Sequence, residues 1–222
     1  MSQEDQIIQW NIKLRDKTPY EIIHWSLNQF GSDKAIASTS FGPYTAVLLQ
    51  LITEINPLIP IIWIDHGYNR SSTYQYVEKI QELLKLNLHV YSPRLTAARR
   101  DILYGPLPID RDNESALQEF SALMKLEPFS RVMNDFKPHV WFTGVRQTQN
   151  CHRKSFDIVS FDSVFDVWKI NPLLYWTDDQ MTRFLHEHNL PNEFDYFDPA
   201  KGDEKRECGL HAPWAKKFVK QK

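Results

Sequence analysis

The chain has 222 residues, 26 Lys and Arg against 28 Asp and Glu for a formal net charge of -2, and 42% hydrophobic and 24% charged residues. That composition fits one cored globular domain with an appended C-terminal segment, and it argues against a non-specific nucleic-acid coat, which needs a basic excess to displace counterions. No signal peptide or membrane span is legible: residues 1–10 are polar and acidic, and the most apolar stretch, 48–63, is broken by Thr53, Glu54, Asn56 and prolines, so a cytoplasmic protein is expected.

Thr18-Pro19-Tyr20-Glu21 has the form of a capping box with proline at the first helical position. Ile23, Leu27 and Phe30 then share one face before Gly31, predicting a helix. The run Ala35-Ile36-Ala37 within 34–39 predicts a buried strand, and Tyr44, Val47, Leu48, Leu51 and Ile55 keep helical spacing until Pro57. Ile61-Ile62-Trp63-Ile64 reads as a strand covered on both faces. A helix over 72–86, a strand over 88–91, a helix ending at Phe136 and a strand over 140–143 continue the alternation. Thr177-Asp178-Asp179-Gln180 opens a last helix with Met181, Phe184 and Leu185 as its apolar side.

Beyond Leu190 periodicity ends. The acidic, aromatic stretch 191–202 is expected to be a loop that leaves the C-terminal residues free to move. The predicted class is α/β, a parallel sheet flanked by helices with right-handed crossovers and ligands at the carboxyl ends of the strands. The expected division is a nucleotide-binding domain over 1–192 and a flexible segment over 193–222.

Polar clusters come after three of the strands. Ser38-Thr39-Ser40-Phe41-Gly42 lies between strand and helix, where unpaired N–H groups and the helix dipole suit an anion, although such loops also simply cap helices. It is not a Walker loop, and no acidic residue beside it suits Mg²⁺. Asp65-His66-Gly67-Tyr68 ends the second strand. Gly67 allows a tight approach and Asp65 can take a ribose hydroxyl, or the cluster is merely a turn. Gly144-Val145-Arg146, Gln149 and Arg153, with Lys125 and Arg131, offer a cationic floor for phosphate or sulfate, or a solvated basic face.

The chain has two cysteines, too few for a four-thiolate iron–sulfur cluster. His186 and His188 point to different sides of a helix, Cys151-His152 are adjacent, and no metal site is expected. Near the C-terminus Lys205-Arg206-Glu207-Cys208-Gly209-Leu210-His211 sets one thiol among cations, which favour the nucleophilic thiolate and attract an anionic substrate.

Taken in order, these clusters resemble the thioredoxin-dependent phosphoadenosine phosphosulfate reductase family. The resemblance runs from about Lys34 to Asn192 and returns at 205–211. It is carried by Ser38 to Gly42, Asp65-x-Gly67-Tyr68, Lys85-Leu86-Asn87-Leu88, Tyr104-Gly105, Lys125-Leu126-Glu127-Pro128 with Arg131, Trp141-Phe142-x-Gly144-x-Arg146-x-x-Gln149 with Arg153, and the cysteine motif.

The resemblance implies an adenine-nucleotide α-hydrolase (PP-loop) type of fold, a homodimer, and no bound cofactor. It implies that the 38–42 loop, Arg146 and Arg153 surround phosphate and sulfate, that Asp65 and Tyr68 lie near the nucleoside, and that Cys208 is the nucleophile. 3′-Phosphoadenosine 5′-phosphosulfate would be converted to sulfite and adenosine 3′,5′-bisphosphate, with reduced thioredoxin or glutaredoxin resolving a sulfonated Cys208. The sister branch, acting on adenosine phosphosulfate, carries a four-cysteine cluster site. Its absence favours the substrate with the 3′-phosphate, which Lys125, Arg131 or Arg153 would read.

The chain departs from the family pattern at Asn69-Arg70-Ser71-Ser72-Thr73 and in the short bridge 191–204, which lacks the polar glycine-threonine segment. The bridge motivates an alternative, a catalytically impaired bisphosphate-binding paralogue. A nucleotidyl transferase on the same fold is a further alternative, and Cys151 is either an inert thiol or an internal resolving one.

Overall fold

In a computed structural model, which describes residues 2–108, 114–199 and 210, the apolar runs become β1 (Ala35–Thr39), β2 (Ile61–Ile64), β3 (Leu88–Tyr91) and β4 (Val140–Phe142). Two strands not expected from the sequence, β5 (Val159–Asp162) and β6 (Val167–Ile170), complete one sheet in the order β3-β2-β1-β4-β6-β5. All pairings are parallel except β5 with β6. The expected parallel, helix-flanked sheet is present, with one antiparallel pair added at this edge. Asp162 Oδ1 accepts from the N–H groups of Val164 (2.9 Å) and Phe165 (3.2 Å), and Asp166 takes a φ of 55°, so a tight turn returns the chain antiparallel.

The helices are α1 (Gln3–Leu14), α2 (Pro19–Phe30), α3 (Thr45–Ile55), α4 (Ser71–Leu84), α5 (Ala97–Tyr104), α6 (Glu114–Ser121), α7 (Glu127–Phe136) and α8 (Asp178–Glu187). Capping boxes at Thr18/Glu21 and Thr177/Gln180 start α2 and α8 as the sequence indicates. A third, Ser2 with Asp5, starts α1. Asn11 on α1 bonds both backbone groups of Val159 at 2.9 Å, and Trp10 meets Trp25, Phe30 and Trp168 edge-on at 5.2–5.5 Å, fixing α1 to the β5–β6 edge.

The core lies on both faces of the central strands. Ala35, Ala37, Ile61, Trp63, Val140 and Phe142 pack with α2 and α3, whereas Ile36, Ile62 and Trp141 pack with Phe129, Val132 and Met133 of α7. That two-sided burial is why these strands read as continuous apolar runs. Consecutive strands β1 to β3 extend the sheet one way from β1, and β4 lies on its other side. The crevice between the carboxyl ends of β1 and β4 is therefore a topological switch point. No helix among the described residues is long and apolar enough to cross a membrane.

Candidate active site

A cavity of about 170 Å³ opens at that switch point. Its wall includes Ser38, Thr39, Ser40 and Gly42 at and after the end of β1, Trp63, Ile64 and His66 at and after the end of β2, and Thr143, Gly144, Arg146, Gln149 and Arg153 after β4. Lys125, Tyr196, Asp198 and Leu210 close its other side.

The loop 38–42 is held in an unusual backbone shape. Phe41 and Tyr44 take φ of 52° and 65°, a left-handed conformation that costs non-glycine residues of order 1–3 kcal/mol each. The Phe41 ring is fully buried, edge-on to Trp63 at 5.4 Å, and Thr39 Oγ1 accepts from its N–H at 3.0 Å. Among the described residues no hydrogen bond engages the N–H of Ser40 or Gly42. Ser38 Oγ accepts from Trp141 Nε1 at 2.7 Å, which leaves its own O–H to donate.

Three cations meet this loop, each at most 6% exposed: Lys125, Arg146 and Arg153. Lys125 sits on a π-turn, Ala122–Leu126, inserted between α6 and α7. Such insertions recur at functional sites because they redirect one side chain. Its Nζ lies 2.6 Å from both carboxylate oxygens of Asp198. Arg146 Nη1 donates to Asp178 Oδ1 (2.5 Å) and Thr148 Oγ1 (3.2 Å), and the guanidinium lies 5.0 Å from the Tyr44 ring centroid. Gln149 Oε1 accepts from Arg146 N–H at 3.0 Å and from Arg153 Nη1, binding the two arginines into one unit.

His66, which pattern reading passed over inside the Asp65–Tyr68 cluster, is 3% exposed on the cavity wall. Its Nδ1 accepts from Tyr68 N–H at 3.1 Å, so the ring hydrogen sits on Nε2. Burial, helped by Lys125, holds its pKa down at about 4 against the opposing pull of Asp198 and Asp65.

Of the residues singled out in the sequence, Ser38, Thr39, Ser40, Gly42, Lys125, Gly144, Arg146, Gln149 and Arg153 share this wall. The structure does not bring Phe41, Asp65, Gly67, Tyr68 or Arg131 to it. Phe41 is spent in the core. One carboxylate oxygen of Asp65 is engaged locally: its Oδ1 accepts from Gly67 N–H (3.0 Å), Asn69 Nδ2 (3.1 Å) and Tyr74 O–H (2.8 Å). Gly67, at φ 77°, serves that turn. Tyr68 O–H donates to Asp101 at 2.5 Å, which with burial raises its pKa to about 12. Arg131 is turned onto Glu127, the Ser92 carbonyl and the Tyr91 ring. Lys205, Arg206, Cys208 and His211 lie outside the described residues, whereas Leu210 reaches the cavity wall.

The stretch 192–199, without helix or strand as expected, packs against the domain. Tyr44 N–H donates to Asn192 Oδ1 (2.7 Å), Arg70 pairs with Asp195, and Glu193 and Asp198 are each 7% exposed. Asp198 carries no local signal in sequence, since its partner Lys125 is 73 residues away. Cys151 is exposed and off the cavity wall.

Residues 34–194 match the sequence model of the phosphoadenosine phosphosulfate reductase domain. A phosphoadenosine 5′-phosphosulfate reductase of Synechococcus sp. is 34% identical over 90% of this chain and 95% of its own. One of Synechocystis sp. is 35% identical over 90% of this chain and 88% of its own. The crystal structure of a phosphoadenylyl-sulfate reductase from Candida auris, a phosphate complex, superposes with a TM-score of 0.73 at 26% identity, covering 87% of this chain and 90% of that one. An FMN adenylyltransferase from Candida glabrata in complex with ATP shares the fold alone, with a TM-score of 0.57 at 18% identity over 86% of this chain and 60% of the other. The mostly parallel, helix-flanked sheet is thus of the adenine-nucleotide α-hydrolase type. With its loop after β1 and its arginines after β4 inside the matched region, the chain belongs to the phosphoadenosine phosphosulfate reductase family.

Proposed function

We propose that the protein reduces 3′-phosphoadenosine 5′-phosphosulfate to sulfite and adenosine 3′,5′-bisphosphate, with thioredoxin as electron donor. One observation carries this reading: the cavity joins the strained loop 38–42 to three buried cations, Lys125, Arg146 and Arg153. Loop N–H groups and guanidinium forks are the donors that phosphate and sulfate oxygens require.

Cys208 is the nucleophile in this reading. Lys205, Arg206 and His211 beside it in sequence favour its thiolate. The thiolate attacks the sulfur of the phosphosulfate, a sulfur–sulfur bond forms, and the sulfur–oxygen bond breaks with its electron pair leaving on the bisphosphate. Arg146 and Arg153 stabilise the phosphate oxygens as that charge grows. A thioredoxin thiolate then attacks Cys208 Sγ and expels sulfite, and the second thioredoxin thiol frees Cys208. The two electrons come from the dithiol. Glutaredoxin fits the same step. Leu210, two residues along the sequence from Cys208, lines the cavity wall. We infer further a cytoplasmic protein and, as the family resemblance implies, a homodimer, without an iron–sulfur cluster, for which two cysteines are too few.

The test is intact-mass measurement after incubation with the phosphosulfate and no reductant. A sulfonate adduct that is lost as thioredoxin releases sulfite is the expected result, and Cys208→Ser forms neither. Turnover by Cys208→Ser removes Cys208 from the mechanism. Bisphosphate binding without any adduct in the unsubstituted chain leaves a binding protein rather than a reductase.

A further inference from the structure

A carboxylate of the chain itself occupies the cationic end of the cavity. Asp198 and Lys125 pair with both side chains nearly buried, 3% and 8% exposed. Asp198 arrives on the docked stretch 192–199, which is tied down by the Tyr44–Asn192 bond, by the Arg70–Asp195 pair and by the Tyr196 ring against Gly42. His66 stands close enough to feel both charges of the pair. Its Nδ1 is committed to the backbone, so Nε2–H is the only hydrogen-bonding group it has left to offer on the cavity wall.

To an ammonium group a bidentate carboxylate and two oxygens of a phosphate or sulfate are equivalent partners. Either is acceptable in this site, whereas a lysine left buried with neither is strongly unfavourable. A ligand oxyanion that engages Lys125 must therefore exchange with Asp198, because a second anion beside the carboxylate adds like-charge repulsion in a poorly solvated space.

We propose that Asp198 is a specificity-determining residue, an internal competitor at Lys125 that yields only to a ligand bringing its own oxyanion to that lysine. The proposal rests on the phosphosulfate reading of the cavity. A nucleoside without such a group leaves the pair closed and gains nothing from Lys125. The phosphosulfate replaces the carboxylate, and the stretch 192–199 detaches with it. Apparent affinity for the anionic ligand is lowered by the fraction of molecules in which the pair is closed.

The test uses Cys208→Ser protein, which cannot turn over, with and without Asp198→Asn, titrated calorimetrically with 3′-phosphoadenosine 5′-phosphosulfate and with adenosine. Asparagine keeps the volume and removes the charge. The phosphosulfate is expected to bind about tenfold tighter or more to the double variant, with adenosine unchanged within about twofold. Equal or weaker phosphosulfate binding in the double variant overturns the proposal while leaving the site reading intact. Failure of both proteins to bind the phosphosulfate overturns that reading and the proposal together.

Hydrogen exchange on the Cys208→Ser protein decides between the two without touching the buried pair. With saturating phosphosulfate, amides of 38–42 are expected to slow while those of 192–199 quicken. Slowing of both segments means that 192–199 closes over the ligand, and the exchange proposal falls.

Discussion

A methyl group added at Gly42 would stand 3.0 Å from the ring of Tyr196, so the loop after β1 and the stretch 192–199 meet with no space for a side chain. Gly42 does not hold a positive φ, and its requirement is one of room rather than of backbone shape. Gly42→Ala is expected to cost about 1–3 kcal/mol by overpacking, read as a lower urea midpoint at unchanged slope. In a Tyr196→Ala background the cost should largely vanish. If it persists there, the contact is not its source.

Arg146 is placed by three neighbours at once, Asp178, Thr148 and the face of Tyr44. Lysine in its place keeps the charge and loses the planar fork. Arg146→Lys is expected to raise KM for the phosphosulfate about tenfold with a smaller change in kcat, measured as sulfite released with excess thioredoxin. An unchanged KM would show that the guanidinium serves Asp178 and not the substrate.

His66 supplies a pH dependence of stability. Its folded pKa, about 4, lies below the ordinary value of 6.5. Between those values the unfolded chain binds the extra proton, so stability rises with pH across the window. It is complete above about pH 6.5 and lost as pH falls towards 4, by about 3 kcal/mol in all. His66→Gln should flatten that part of the profile in urea titrations run from pH 4.5 to 7. A wild-type profile already flat there would mean that His66 is solvated in solution.

Ala35-Ile36-Ala37 and Ile61 to Ile64 announce buried strands because both faces of the sheet are covered, and the alternation they set places the cavity where 38–42 and 144–153 come together. β5 and β6 escape such reading because Val159–Asp162 and Val167–Ile170 mix polar with apolar residues and only their pairing, through the Asp162 turn, makes them strands. α1 opens on an Asp-containing capping box and is held largely by contacts to β5 and Trp168, distant in sequence. Within the site, residue type and strand-end position are legible but side-chain direction is not. Asp65 and Tyr68 sit after the right strand, yet Tyr74 takes one oxygen of Asp65 and Asp101 takes the Tyr68 hydroxyl.

Lys125 and Arg131 are equal candidates for an anion on sequence alone, and the structure separates them. They lie six residues apart but on different turns of one continuous helical stretch that changes from π to α between them. Lys125 is turned into the cavity, and Arg131 is turned to Glu127 and the Ser92 carbonyl. Arg131→Gln is therefore expected to leave KM for the phosphosulfate within about twofold and to cost at most about 1 kcal/mol of stability, as for a partly exposed pair. Lys125→Gln removes a buried cation opposite the sulfate or phosphate oxygens and should raise KM about tenfold or more. Steady-state sulfite formation by the two variants side by side is the check. A large effect at Arg131 would require that residue to swing from Glu127 into the cavity when substrate binds, and a small one at Lys125 would leave Arg146 and Arg153 as the whole of the anion site.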